Sequence, residues 1–185
     1  AKAIAYGVLF LDPGSERGDL KLADAMRSKA PVVLPLLIQS PGLNGAEADI
    51  MRPVDPIGSA ATAQGIVDLS FDDDGIIRHM TLSRTVGGVE TRHLMDVLHQ
   101  AATGTPSPAY PRWQAAPPSA RETGVMVPFA GLGAFRHISI ASVIKGEVPA
   151  DFLKDKIVLI GATASGMGDR YPVSGLDGAM PGVEI

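Results

Sequence analysis

The run of residues 3–11, AIAYGVLFL, constrains the fold more than any other part of the chain. It carries no charge and does not alternate between apolar and polar positions, which is typical of a strand buried on both faces. A helical pattern capped by Asp19 follows, and a second apolar run occupies residues 32–38. A strand, a helix and a strand in this order form a βαβ unit with parallel strands and a right-handed crossover. The chain is therefore predicted to build an α/β sheet with its first strand in the middle.

The centre of the chain predicts an antiparallel addition to this sheet. Strand-like runs at residues 65–71 and 76–83 flank residues 72–75, DDDG, and an Asp-Gly pair is typical of a hairpin turn because glycine tolerates positive φ. Residues 91–102 have the periodicity of an amphipathic helix. Residues 40–56, rich in Pro, Gly, Asn and Asp, are interpreted as an ordered excursion or a mobile loop.

The last part of the chain returns to a strand. Residues 103–118 carry five prolines and are predicted to be a surface connection stiffened by fixed φ values. Residues 125–129 and 157–160 are predicted strands, the second of them buried, and the second runs into a small-residue loop at residues 161–169. We therefore expect one α/β domain over residues 1–185, with a mixed sheet, partly parallel and partly an antiparallel hairpin, flanked by helices.

Composition excludes several classes of protein. The chain has 185 residues, with 16 Lys and Arg against 20 Asp and Glu, so its formal charge is −4 and no two basic residues are adjacent. This excludes a basic nucleic-acid binder. The absence of cysteine excludes disulfides, zinc ribbons, iron–sulfur clusters and a cysteine nucleophile. No apolar stretch reaches the length of a membrane span. Because the sequence begins at Ala1 without an initiator Met, we expect a segment excised from a longer protein.

The loop from Gly161 to Asp169 is the segment best suited to approach a ligand, because it follows the carboxyl end of a strand. Gly161 and Gly166 have the spacing of a phosphate-binding loop, but Met167 and Gly168 stand where that loop needs Lys and Ser or Thr. The dinucleotide pattern G-x-G-x-x-G is also missing. The small residues favour tight packing of strand and loop. A small α/β nucleotide-binding or enzymatic domain that uses this loop is the alternative function.

No other motif indicates catalysis. Residues 72–74 suit a solvated turn better than a calcium loop, because Ser70 and Thr81 stand where that loop needs carboxylates. No serine lies in a G-x-S-x-G nucleophile elbow. The histidines show no pair at the spacing of a local metal site: His79, His93, His99 and His137. The sequence therefore predicts no catalytic residue, no metal site and no cofactor.

Segments that span nearly the whole chain resemble a single family. The strongest is KIVLIGATA at residues 156–164, followed by Asp169 and by PGVE at residues 181–184. Others are the opening strand, VVLP after the first helix, GIV before DDDGIIR, VPFAG and ISIASVIKG. In order and spacing they resemble the type-two CHASE domain, an extracytoplasmic sensory module of bacterial receptors. Where similar domains commonly carry an Asp in the first strand, this chain has Gly7, so a ligand role of that Asp does not transfer.

The resemblance implies a non-catalytic sensor at the periplasmic face of the bacterial inner membrane. Membrane spans outside this segment would link it to a cytoplasmic histidine kinase, nucleotide cyclase or Ser/Thr kinase. Its expected partner is an unidentified small-molecule or protein signal and not a nucleic acid. The domain could also form a homodimer, and a further alternative is a scaffold that dimerises without sensing a signal. Polar residues at strand ends are the candidate ligand contacts: Arg78, His79, Asp169 and Arg170. The structural alternatives are that Asp169 caps backbone N–H groups and that Arg78 pairs with the turn carboxylates.

Overall fold

A computed structural model describes residues 1–27, 29–39, 48–118, 121, 124–131, 133–164, 166 and 168–185. Its strands are β1 Ala3–Tyr6, β2 Val32–Gln39, β3 Asp49–Met51, β4 Ala63–Ile66, β5 Ser70–Phe71, β6 Ile77–Met80, β7 Ser83–Val86, β8 Val89–Arg92, β9 Val125–Met126, β10 Ile157–Ile160, β11 Arg170–Pro172 and β12 Ala179–Pro181. Its helices are α1 Glu16–Met26, α2 Ile57–Ala60, α3 Leu94–Thr103, α4 Ala109–Ala115, α5 Ile140–Ile144, α6 Ala150–Leu153 and a 3₁₀ turn at Gly182–Glu184.

A four-stranded parallel sheet in the order β10-β1-β2-β4 forms the centre of the domain, and β3 pairs antiparallel with the end of β2. Ala3 of β1 lies beside Ile157 of β10, and Ile4 lies beside Val32 of β2. The predicted βαβ unit and the inner position of β1 are confirmed. The strand ends at Tyr6, however, earlier than its apolar run suggests. The prediction that residues 157–160 are buried is wrong, because β10 is an edge strand and Ile157 is 46% exposed.

Helices cover both faces of this sheet. Successive residues of β2 point to opposite sides, so Val32 and Leu34 pack with Ala23 and Met26 of α1, while Val33 packs against α3. α1 begins after Ser15, whose hydroxyl accepts a hydrogen bond from the Gly18 N–H at 3.2 Å. The predicted cap at Asp19 is therefore wrong. The Asp19 carboxylate instead accepts from the Gly14 N–H at 2.9 Å.

Antiparallel pairs make up the rest of the domain. β5 and β6 form the predicted hairpin, with Gly75 at φ 77°, and β9 extends it. The prediction that this hairpin adds to the main sheet is wrong, because these three strands form a separate sheet and residues 65–66 belong to the parallel strand β4. β7 and β8 form a second hairpin through Gly87 and Gly88, both at positive φ. Because β8 takes residues 89–92, the helix predicted over residues 91–102 begins only at Leu94. The mixed α/β fold class is confirmed. Residues 40–47 lie outside the described part, whereas residues 49–51 of the predicted loop form β3.

The proline-rich segment is not only a surface connection, and that prediction is wrong. Residues 109–115 form α4, which buries Tyr110 and Trp113 against Leu82. Pro108 and Pro111 do not prevent this helix, because they stand at its N-cap and in its first turn, where a backbone N–H has no intrahelical partner. Within the described ranges, no helix is both long and apolar enough to cross a bilayer.

Candidate functional site

A cavity of about 560 Å³ lies at the edge of the parallel sheet where β1, β2, β4 and β10 end. Most of its wall is apolar, with Leu37 of β2, Val67 after β4 and Leu159 of β10 as examples. Five polar or phenolic side chains interrupt this wall: Tyr6, Asp68, His93, Asp169 and Tyr171. The carboxyl ends of parallel strands are the usual place for a ligand in α/β folds, and the volume suits a small organic molecule.

The segment at residues 182–185 forms part of the cavity wall, and two glycines let it come close to the sheet. A Cβ atom added to Gly161, after β10, would lie 2.6 Å from Cβ of Val183. One added to Gly7, after β1, would lie 3.3 Å from Cγ2 of the same residue. Val183 therefore fills a notch that exists only because both strands are followed by glycine. Tight packing accounts for Gly161 without a bound phosphate.

Asp169 and Tyr171 form a polar corner of the wall. The backbone carbonyl of Asp169 accepts a hydrogen bond from the Gly182 N–H at 3.0 Å, and a Cβ atom at position 182 would overlap the Asp169 carboxylate. Burial first, and the neighbouring Asp169 carboxylate second, raise the pKa of Tyr171. The phenol therefore stays protonated at neutral pH and presents its hydroxyl next to a carboxylate.

His93 is the most deeply buried polar residue of the cavity wall, with 3% exposure. It is the N-cap of α3, and its Nδ1 accepts a hydrogen bond from the Met95 N–H at 3.3 Å. α3 begins directly against β4, because Gly65 has no side chain; a Cβ atom there would lie 2.7 Å from Cα of Leu94. This close approach, together with a bridge between Ile66 and His93, places the imidazole beside the cavity.

The protonation state of His93 follows from its surroundings. Burial lowers its pKa to about 4, although Asp68 and Asp96 act in the opposite direction. Both carboxylates are already paired: Asp68 Oδ2 lies 2.6 Å from Nε of Arg84, and Asp96 pairs with Arg92. The imidazole is neutral at pH 7, and because Nδ1 is an acceptor, the proton sits on Nε2. No described residue hydrogen-bonds to Nε2.

Arg78 and His79, two of the predicted contacts, lie at the β5–β6 hairpin and not in the cavity wall. Nη1 and Nη2 of Arg78 donate to the Asp74 carboxylate at 2.9 and 2.8 Å, and Nη1 also donates to Asp72 at 2.7 Å. The hydrogen bond from Arg78 is the main reason why the pKa of Asp74 is lowered to about 2. Nδ1 of His79 lies 3.7 Å from Oδ1 of Asp72. Arg78 closes the hairpin, and ligand contact by these two residues stays a prediction.

Arg170 also lies outside the cavity wall, while Asp169 lies in it. The Arg170 guanidinium donates to the carbonyl of Thr163 at 3.5 Å and to the carbonyl of Ala179, so it ties the loop after β10 to β12. Sequence reasoning missed Asp68, His93 and Tyr171 as wall residues. None of the three had a usable signal: His93 falls inside the helix predicted over residues 91–102, and histidine is not a preferred N-cap residue.

Two further observations limit what the site can do. Among the described residues, no group of three or more His, Asp or Glu side chains could hold a metal ion. A second depression, of about 450 Å³, lies between the start of α1 and Pro56. It is the more open of the two and lacks buried polar side chains of the kind that His93 provides. The cavity at the strand ends is therefore the stronger candidate.

Comparison with known proteins agrees with this description. The family model described as CHASE2 domain matches residues 1–185, the whole chain. No curated protein and no solved structure matches. A match of this extent means that the chain belongs to the CHASE2 domain family, whose members are extracytoplasmic sensory domains.

Proposed function

We propose that the domain is the non-catalytic, ligand-sensing part of a bacterial transmembrane receptor, located at the periplasmic face of the inner membrane. Its signal would reach a cytoplasmic output domain, either a histidine kinase, a nucleotide cyclase or a Ser/Thr kinase. The observation that carries the proposal is the cavity at the strand ends, whose wall includes Gly182, Val183 and Ile185. A ligand in this cavity contacts the same segment that packs on the ends of β1 and β10.

This arrangement allows ligand binding to change the position of the segment at residues 182–185. Val183 fits its notch against Gly7 and Gly161 in only a narrow range of positions, because an added methyl group at either glycine would be crowded. Packed interfaces of this kind have few discrete arrangements and do not deform continuously. A ligand that binds one arrangement of the segment more tightly than another shifts the population toward it. The difference in affinity is the free energy available to the attached parts of a receptor.

The polar groups of the wall support recognition better than bond cleavage. Asp68 is neutralised by Arg84, and His93 uses Nδ1 to cap α3. A general base needs a free acceptor close to a nucleophile, and a neutral imidazole with its proton on Nε2 offers a donor instead. These groups are arranged to hold a polar part of a ligand.

The test is a thermal-shift screen of extracellular metabolites, repeated on two loop variants. Ala162 lines the cavity and Ala164 is exposed outside it, so Ala162→Phe and Ala164→Phe add the same side chain to the same loop. A ligand at about 100 times its dissociation constant stabilises the fold by about 2.7 kcal/mol. We expect this stabilisation to be lost in A162F and kept in A164F.

Two outcomes would contradict the proposal. The first is a ligand response that is equal in A162F and A164F, because the cavity would then not be the binding site. The second is a large stabilisation by nucleotide with Mg²⁺, which would favour the nucleotide-binding alternative at residues 161–169. In a receptor that carries this domain, A162F should abolish the response of the output to the ligand, and A164F should preserve it.

A further inference from the structure

We infer that the cavity binds a small organic amine, a compound with an apolar body, one ammonium group and one hydrogen-bond acceptor. The inference rests on the proposed function only in taking this cavity as the ligand site. Three features of the wall carry it: a carboxylate without a basic partner among the described residues, an imidazole N–H that no described residue accepts, and an otherwise apolar surface.

The charge of the wall favours a cation. Asp68 and Asp169 line the cavity, and every lysine and arginine of the chain lies in the described ranges but none of them lines it. Arg84 neutralises Asp68 from outside the cavity. The guanidinium of Arg170, the neighbour of Asp169, donates its hydrogen bonds to the carbonyls of Thr163 and Ala179. The Asp169 carboxylate is therefore the one charge of the wall without a basic partner among the described residues, and it attracts an ammonium group.

The second polar feature favours an acceptor on the ligand. His93 is 3% exposed, uses Nδ1 for the cap of α3 and lines the cavity, and no described residue accepts a hydrogen bond from its Nε2–H. An N–H donor in the cavity wall favours a ligand oxygen that accepts from Nε2 over a purely apolar contact. A ligand that satisfies both groups has its ammonium group and its acceptor at different positions.

The remaining wall selects the body of the ligand. Side chains such as Leu37, Val67 and Leu159 offer dispersion contacts, and about 560 Å³ is enough for an aromatic or branched aliphatic skeleton. Anions are disfavoured, because a carboxylate or a phosphate would enter a wall without a cation and beside Asp169. Zwitterionic amino acids are disfavoured for the same reason.

The closing experiment uses three probes with one skeleton, tyramine, tyrosol and 4-hydroxyphenylacetate, which differ only in an ammonium, a hydroxyl or a carboxylate head. Calorimetry on the whole chain at neutral pH measures their affinities. We expect tyramine to bind at least about tenfold more tightly than tyrosol, since charge-assisted hydrogen bonds are roughly twice as strong as neutral ones. 4-Hydroxyphenylacetate should bind most weakly.

The variant Asp169→Asn keeps the shape of the side chain and removes its charge. It should lower the affinity for tyramine by about tenfold and change the affinity for tyrosol by no more than about twofold. Asp151→Asn, on the exposed helix α6, is the matched control and should change neither affinity. If D169N fails to fold, as judged by its melting temperature, the ranking of the three probes on the unchanged chain still decides the inference.

Several results would overturn the amine assignment. These are a tyrosol or 4-hydroxyphenylacetate affinity equal to that of tyramine, no tyramine binding at all, or tyramine binding that survives A162F. The proposed function fails separately, when a wide screen finds no ligand whose stabilisation is sensitive to A162F. A cavity that prefers an anion would leave the sensing role intact and refute only the ligand class.

Discussion

Burial of His93 predicts that the stability of this domain depends on pH between about 4 and 6.5. The pKa of His93 is about 4 in the folded domain and has the ordinary value of 6.5 in the unfolded chain. Between these values the unfolded chain binds more protons, so the free energy of unfolding rises with pH and the contribution is lost as pH falls. The pKa difference gives a loss of about 2 kcal/mol at pH ~5 and about 3 kcal/mol below pH ~4.

The assay is urea unfolding of the wild type and of His93→Asn at about pH 7.5 and about pH 5. Asparagine is a good N-cap and keeps an acceptor for the Met95 N–H, but it does not titrate. We expect the wild type to lose about 2 kcal/mol more than H93N on acidification. The other three histidines are present in both proteins, so their contributions cancel. An equal loss in both proteins would refute the reasoning.

Three further predictions concern packing and the hairpin. Gly161→Ala should lower the free energy of unfolding by about 1–3 kcal/mol in urea unfolding, because the new Cβ would lie 2.6 Å from Cβ of Val183. The double variant with Val183→Ala should regain part of this free energy in the same assay. Trp113→Ala should cost about 3–5 kcal/mol in the same assay, since Trp113 is 3% exposed. Arg78→Gln should raise the pKa of Asp74 from about 2 toward 3.8 in a carboxyl NMR titration.

Each of these predictions has an outcome that contradicts it. Gly131→Ala is the matched control for the first, because nothing lies within 4 Å of a Cβ atom added there, and a cost equal to that of G161A would refute the notch. Gln114→Ala, on the exposed side of α4, is the control for W113A. If W113A lowers the free energy of unfolding by no more than about 0.5 kcal/mol, this segment is a surface connection after all. An unchanged Asp74 titration in R78Q would refute the hairpin clamp.

The fold was predictable from the sequence where local signals and burial agree. The apolar runs identified β1 and β2, the helical spacing between them identified α1, and the DDDG turn identified the β5–β6 hairpin. α4 was not predictable from proline content alone, because five prolines favour a stiff connection, whereas the position of a proline relative to a helix start decides its effect. The family resemblance from the KIVLIGATA segment is confirmed over the whole chain.

The site was less predictable, because its parts are far apart in the chain. Asp169 was singled out from the small-residue loop and does line the cavity, whereas Arg78, His79 and Arg170 lie elsewhere. None of these placements tests ligand contact, which stays a prediction. Charged residues near strand ends look equivalent in a sequence, and only their partners show that Arg78 is engaged by two carboxylates.

The sequence by itself determined strands β1, β2 and β10 of the sheet, its βαβ start and the family, because these depend on local periodicity, turn residues and motif order, whereas β3 and the parallel pairing of β4 came only from the structure. The tertiary structure alone decided which side chains share the cavity. His93 reaches it because α3 packs directly on Gly65, and Val183 reaches it because Gly7 and Gly161 leave room. Such contacts depend on close packing between segments that are far apart in the chain, and local sequence patterns do not predict which of these segments meet.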